Sequence, residues 1–424
     1  MKATASEGPR RIRPLESLAV PSFGRLWGAG ALWNLTRWMA LFVGSYLVNQ
    51  LTDSPLLVQL VGTSMFLPMF LGGLAAGAIS DRFDRRRTVM RQLAALMPLA
   101  ILMAALVRTG AIRFWMVYIF AVAVGIGQVV DLTNRRTLVH DIVGERLVGN
   151  AMAIESLSMS SGNMLGSLTA GTVIGLLAED GAYALIAVFY GICFLLMRRV
   201  AKRSDRESPS ATDSANTNAT ATNTSLAEIR TDLIAGARSL PANRELVSLL
   251  GITVIMNFMF FSFMPLVPVM AERFDAGPFA TGLLASGLGL GMLLGAAVVV
   301  MTSPTRRGWL YVAGPFWGMA ALIGFALMDV YAIALLMLVL TGIGSAGFAS
   351  VQSALVMTVS PDEMRGRAMG LLSMSIGSLP FGMLSLGLLA EQVGPQTAVI
   401  CSASAGIVLL TLWLVTHPEI TRVA

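Results

Sequence analysis

The sequence predicts an all-α membrane protein with twelve transmembrane helices in two pseudo-symmetric six-helix bundles. Three observations carry this expectation. The chain of 424 residues is 55% hydrophobic and 13% charged, against about 25% charged in soluble domains. Its apolar residues fall in blocks near the ~20-residue length needed to cross a bilayer as a helix, and these blocks with their loops account for nearly the whole chain. Finally, Leu138-Val139, Gly149 and Ala151-Met152 reappear as Leu355-Val356, Gly366 and Ala368-Met369 at a constant offset of 217. Gly175-Leu176-Leu177-Ala178-Glu179 likewise recurs as Gly387-Leu388-Leu389-Ala390-Glu391 at an offset of 212, which pairs span 5 with span 11. Two halves repeated in the same sense are the arrangement in which a site forms between bundles.

In chain order, residues 1–22 form a polar tail. Arg10, Arg11 and Arg13 precede any apolar run, which is not the order of a cleaved signal peptide. The first bundle covers 23–199, with spans expected at 23–50, 56–79, 89–107, 114–139, 148–177 and 181–199. A linker over 200–244 opens with Lys202-Arg203 and continues as a Ser/Thr/Asn/Ala tract from Ser208 to Ser225. Leu226, Ile229, Leu233, Ile234 and Ala237 then recur at helical spacing, opposite Glu228, Arg230, Asp232 and Arg238, and predict an interfacial amphipathic helix. The second bundle covers 245–416, with spans at 245–270, 279–302, 309–328, 331–357, 368–390 and 396–416. Pro265 and Pro268 are expected to bend the outer end of span 7. Residues 417–424 form the closing tail.

Orientation follows from charge. With both termini cytoplasmic, 26 of the 30 Lys and Arg fall on cytoplasmic segments and only Arg108, Arg113 and Arg273 outside, with Arg37 inside a span. The positive-inside rule therefore predicts an inner (plasma) membrane protein with both ends in the cytoplasm. The same rule accounts for the net charge of +6, so no nucleic-acid partner is expected. Cys193 and Cys401 lie far apart in apolar spans, and His140 and His417 lack a neighbouring His or Cys, so neither a disulfide framework nor a metal site is expected. No P-loop is present, and no span carries a nucleophile with a His base, so the residues point to neither ATP drive nor an enzyme, and no cofactor is expected.

The loop after span 2 carries the most specific motif. It reads Gly77-Ala78-Ile79-Ser80-Asp81-Arg82-Phe83-Asp84-Arg85-Arg86-Arg87. Gly77, Asp81, Arg82, Arg85 and Arg86 resemble the loop between helices 2 and 3 of the major facilitator superfamily. Asp84 stands where that family usually has Gly, a residue favoured where φ is positive. The resemblance covers essentially the whole chain and implies the fold inferred above. It also implies a gate in which the Asp of this loop faces the start of helix 11 and its arginines pair with an acid at the end of helix 4, here Asp141. Within the superfamily, Phe23-Gly24-Arg25-Leu26-Trp27 with Asn34 and Trp38, and Pro361 to Met369, are similar to the branch containing the enterobactin exporter and macrolide efflux pumps. In span 5, Gly162, Gly166, Gly171 and Gly175 resemble the helix-5 signature of drug–proton antiporters, with Ser167 in place of its proline. The same spacing, like that of Gly282, Gly287, Gly291 and Gly295 in span 8, also serves close helix packing without any chemistry.

Charges inside spans are costly, from ~2.5 to more than 10 kcal/mol each, and by default mark function. Arg37 lies roughly 18 Å into span 1, Asp131 roughly 15 Å into span 4 and Glu155 roughly 10–12 Å into span 5, at 1.5 Å per residue. Asp131 and Glu155 are the candidate proton-coupling groups, with Arg37 either neutralising Asp131 or binding an anionic part of the substrate. Two structural alternatives stand beside this: a buried Arg37–Asp131 pair that only fixes packing, and a bond from Asp131 to Arg135 one turn on. Since helices 1, 4, 7 and 10 line the central cavity in the superfamily, Asn34, Arg37, Trp38, Gln128, Asn257, Phe261 and Gln352 are the candidate substrate-binding residues. The Met- and Phe-rich run from Met256 to Phe263 suits an adaptable apolar pocket. The expectation is a monomeric secondary transporter that exports small amphipathic or apolar compounds in exchange for protons. The alternatives are proton-coupled metabolite uptake, lysolipid movement between leaflets, and a sensor or scaffold that moves nothing.

Overall fold

The computed structural model describes residues 16–72, 84–200, 243–302, 306–361 and 364–422. The expected amphipathic helix of the linker, and Gly77, Asp81 and Arg82 of the expected gate, lie outside the described residues. Among the described residues there is no strand. The helices are α1 (Pro21–Thr52), α2 (Pro55–Gly72), α3 (Arg85–Arg108), α4 (114–143), α5 (145–177), α6 (179–198), α7 (Arg244–Phe274), α8 (Pro278–Thr302), α9 (Arg307–Leu327), α10 (Tyr331–Val359), α11 (Arg365–Val393) and α12 (Pro395–Thr416).

Local chemistry sets the breaks. One continuous stretch, Phe114–Arg198, is divided into three passes by non-helical backbone at Gly144 (φ 70°, ψ 173°) and Ala178 (φ 59°, ψ −174°). Helix α3 starts earlier than expected, at Arg85, because Asp84 caps it. The Asp84 Oδ1 accepts from the Arg87 N–H at 2.9 Å with φ −57°, so the residue that departs from the family pattern acts as an N-cap rather than at a positive φ. In α7 the disturbance is larger than a bend at the outer end. A π turn over Met256–Phe260 passes into a 3-10 segment, Phe261–Leu266, and then the short helix Val267–Ala271. Pro265 and Pro268 lack the N–H groups that would bond back one turn, and a proline ring crowds the carbonyl four residues back, here that of Phe261, where the π turn passes into the 3-10 segment. A break at Gly377-Ser378 similarly divides α11 into Arg365–Ile376 and Leu379–Val393, just ahead of Pro380.

Each half has its own core. Phe23, Trp33, Phe120, Tyr183 and Tyr190 pack together in the first half, and Leu249, Phe260, Tyr311 and Phe325 in the second. From α11, Leu379 and Met383 are buried against the first core. Twelve alternating passes bring the first and last described segments, Glu16–Ala19 and Pro418–Arg422, to one end, called here the terminal end; the other is the distal end. Ser17 is tied to Asn150 at the start of α5 by a 2.8 Å hydrogen bond, and Ser248 at the start of α7 donates to the His417 carbonyl at 2.8 Å.

Among the described residues, the hydrogen bonds that join the halves lie toward the distal end. Asn49 donates to Glu272. The Ser54 hydroxyl and the Leu56 N–H both donate to Glu391 Oε2, at 2.8 and 3.2 Å. Deeper, Gln59 donates to the Ser262 carbonyl at 2.9 Å and Thr63 to the Pro380 carbonyl at 3.4 Å. Beside them α5 and α8 cross so closely that a Cβ on Gly171 would lie 2.7 Å from the Gly282 Cα. The distal side of the interface is closed.

Candidate functional site

Behind that closure lies a cavity of about 280 Å³ to which both halves contribute. Arg37 and Trp38 come from α1, Phe66 and Met69 from α2, Gln128 from α4, and Met159, Ser160 and Asn163 from α5. The second half supplies Phe261 and Met264 from the disturbed part of α7, Met292 from α8, and Ile376, Gly377, Leu379 and Pro380 from the break in α11. The two helix irregularities thus both face the cavity. Four methionines and three aromatic rings make its surface apolar and easily repacked. A smaller void of about 30 Å³ adjoins it on the distal side and shares Trp38, Asn163 and Met264.

Among the described residues, Arg37 is the one charged side chain lining the cavity, and it is 4% exposed. Its guanidinium carbon sits 4.6 Å from the centre of the Trp38 ring, a cation–π contact. Its Nε has no hydrogen-bond partner among the described residues, and neither have Trp38 Nε1 and Asn34 Nδ2. Gln128 accepts from Trp33 Nε1 at 3.4 Å through its Oε1.

The buried acids are arranged differently from the expectation that Arg37 neutralises Asp131. Arg135, one turn further along α4, takes that role. Its Nε is 3.0 Å from both Asp131 oxygens, its Nη2 is 3.0 Å from Oδ2, and its Nη1 donates to Glu155 of α5. All three side chains are buried. The geometry is the favourable one, with the acid four residues N-terminal to the base. It needs Gly30 on α1, where a Cβ would lie 2.7 Å from the Arg135 Cζ. The bond from Asp131 to Arg135 is the second structural alternative that the sequence offered. What the sequence does not give is that Arg135 also takes Glu155 and needs Gly30, because both depend on how α5 and α1 pack on α4. Asp131 and Arg135 line a void of about 10 Å³ inside the first bundle with Ala29, Trp33, Gln92 and Cys193. None of Asp131, Arg135 and Glu155 lines the central cavity.

Of the other expected substrate-binding residues, Arg37, Trp38, Gln128 and Phe261 line the cavity, whereas Asn34, Asn257 and Gln352 do not. Asn34 packs on Gly162 of α5. Asn257 donates to the Thr253 carbonyl at 2.9 Å, and Gln352 to the Thr253 hydroxyl at 3.1 Å within a buried cluster that includes Tyr311. The amide nitrogens of both side chains are thus bonded inside the second half rather than turned to the cavity. Met256, Phe260 and Phe263 are also fully buried in that core, so only part of the Met/Phe run faces the cavity. At the terminal end, Arg85 Nη1 is 3.0 Å from Asp141 Oδ2. Arg86 instead donates to the carbonyls of Met197 and Arg198, the negative end of the α6 dipole.

Solved structures share this fold. A bacterial homologue of the human lysosomal transporter Spinster, inward-facing and occupied, superposes with a TM-score of 0.71 at 15% identity over 98% of each chain. A peptide-bound POT family transporter gives 0.71 at 14% identity, over 94% of this chain and 96% of that one. The inward-open xylose transporter XylE from E. coli gives 0.68 at 14% identity, over 92% and 95%. No curated protein matches the sequence. A family model described as transmembrane secretion effector matches residues 12–422, so with the twelve-helix fold just described the chain belongs to this family of major facilitator transporters.

Proposed function

We propose that the protein exports small amphipathic or apolar compounds by alternating access, in exchange for protons, as a monomer in the plasma membrane with both termini cytoplasmic. The observation that carries the reading is the methionine- and aromatic-lined cavity between the halves, closed distally by hydrogen bonds and by the contact of α5 with α8. Such a surface accepts apolar bodies of varied shape. The Lys/Arg tally supports the orientation, and the similarity of the entry motif and of Pro361 to Met369 supports a place among drug–proton antiporters.

Asp131 and Glu155 are the proton-coupling groups of this reading, acting through Arg135 rather than by direct competition with the cargo. The two acids share one guanidinium that ties α4 to α5 beside the cavity wall. Protonating either acid removes half of that tie and changes which helix packing is preferred. Arg85 with Asp141 holds α3 to α4 at the terminal end, and so serves as the described part of the gate.

The test is flux of small fluorescent amphiphiles in proteoliposomes, driven by an imposed pH gradient. Wild type is expected to transport, Met159→Trp to abolish flux by filling the cavity, and Asp131→Asn to bind compound yet lose the response to the gradient. Undiminished flux in Met159→Trp would remove the cavity from the pathway. No flux under any gradient would favour a sensor or scaffold.

A further inference from the structure

We propose that the central cavity selects an amphiphile bearing a single anionic head, such as a carboxylate, seated on Arg37. This inference rests on the cavity being the transport site and adds the charge of its cargo. Three buried polar nitrogens on one stretch of α1, namely Asn34 Nδ2, Arg37 Nε and Trp38 Nε1, have no hydrogen-bond partner among the described residues. All three are donors. A buried donor left unmade is costly, so the group that best completes this wall is an acceptor with several lone pairs. Of the three, Arg37 and Trp38 line the cavity. Gln128 adds to the same sense, since Trp33 occupies its Oε1 and leaves its NH2 as the donor that remains.

The hydrogen bonding points the same way. Arg135 takes up both Asp131 and Glu155; Asp131 acts on Arg37 through space without a hydrogen bond to it among the described residues, and the Arg37 Nε stays unpaired. The planar fork of Arg37, lying over the Trp38 ring, suits bidentate recognition of a carboxylate. The remaining wall is apolar, including Phe66, Met69, Met159 and Met292, and accommodates the tail. Asn163 Oδ1, also buried without a partner among the described residues, offers one acceptor for a hydroxyl on that tail. A cationic amphiphile finds no carboxylate among the described residues of this surface.

The proposal is tested with the full chain in phosphatidylcholine nanodiscs, measuring binding of labelled decanoate at neutral pH after subtraction of empty discs. Unlabelled decanoate, decanol and decyltrimethylammonium, which share a tail and differ in head charge, are compared as competitors. Decanoate is expected to compete at least about tenfold better than decanol, the gain expected of hydrogen bonds to a charged group, and decyltrimethylammonium no better than decanol. Arg37→Gln is expected to erase the difference between decanoate and decanol, and Arg37→Lys to keep part of it. Equal competition by decanoate and decanol in wild type, stronger competition by the cation, or no saturable binding would overturn the proposal, whatever the folding of the variants. Met159→Trp separates the two levels of inference. If it abolishes binding while wild type shows no preference for the anion, the charge assignment falls and the cavity stands. Should binding survive in Met159→Trp, the cavity reading falls and the assignment with it.

Discussion

At the scale of single residues, the decisive arrangement is one guanidinium between two buried acids. Removing one member of a buried, hydrogen-bonded ion cluster leaves the others unpaired, which typically costs about 3–5 kcal/mol. Arg135→Gln is therefore expected to lower stability by about that amount, measured as a loss of thermal midpoint in detergent. Asp131→Asn or Glu155→Gln alone should cost less, because Arg135 keeps one partner in each. If Arg135→Gln leaves the midpoint at its wild-type value, the cluster does not hold α4 to α5. The three buried charges named from the sequence, Arg37, Asp131 and Glu155, could be found because charge inside an apolar run is rare and costly. Of their pairings, the sequence offered the bond from Asp131 to Arg135 as an alternative, but not that the same guanidinium also takes Glu155. Depth along a helix can be counted from the sequence, whereas the direction of a side chain depends on helix rotation, which is set by packing against other helices. Asn257 and Gln352 illustrate the same limit, since both lie in expected cavity helices yet turn their amides into the second core.

At the scale of elements, the glycines of α5 and α8 show what the helix-5 spacing does in this chain. Gly162 and Gly166 admit α1, and Gly171 admits α8 across the boundary between the halves. A side chain at Gly171 or Gly282 would meet backbone rather than a movable side chain, so the helices themselves must separate. Gly171→Val and Gly282→Val are each expected to shift the protein away from the distally closed state. Spin-label distances across the distal end should broaden toward longer values, and unchanged distributions would show that this contact does not hold the closure. The spacing of small residues is visible in the sequence, but the partner of each is not, because small-residue motifs specify closeness without saying to what. Element boundaries are legible where charge or proline marks them and poorly so inside α7, where two prolines disturb the helix well ahead of themselves. At α3 the departure from the family pattern at Asp84 resolves as an N-cap, a role that the local run Asp84-Arg85-Arg86-Arg87 permits but does not require.

At the scale of the whole molecule, two carboxylates of the second half hold the first half at the distal end. Glu391 caps the start of α2 through Ser54 and Leu56, and Glu272 accepts from Asn49. Each contact is worth about 1 kcal/mol by the usual net value of a hydrogen bond. Glu272→Gln with Glu391→Gln is thus expected to move the balance between distally closed and distally open states by roughly tenfold or more. Labelling of cysteines placed in the cavity by a membrane-impermeant reagent added on the distal side should rise accordingly. A labelling rate equal to that of wild type would show that these contacts ride on the closure without contributing to it. Glu391 also belongs to the segment that recurs between the halves, as the counterpart of Glu179. The sequence by itself determined the number of helices, the division into two bundles and the presence of charge within the spans, because hydrocarbon admits only long apolar helices and penalises each exception. Only the tertiary structure decided which charge meets which, which residues line the cavity and which end of the interface is closed. Those outcomes depend on the rotation and crossing of helices whose surfaces are nearly uniform in hydropathy, and hydropathy is what a membrane sequence records most strongly.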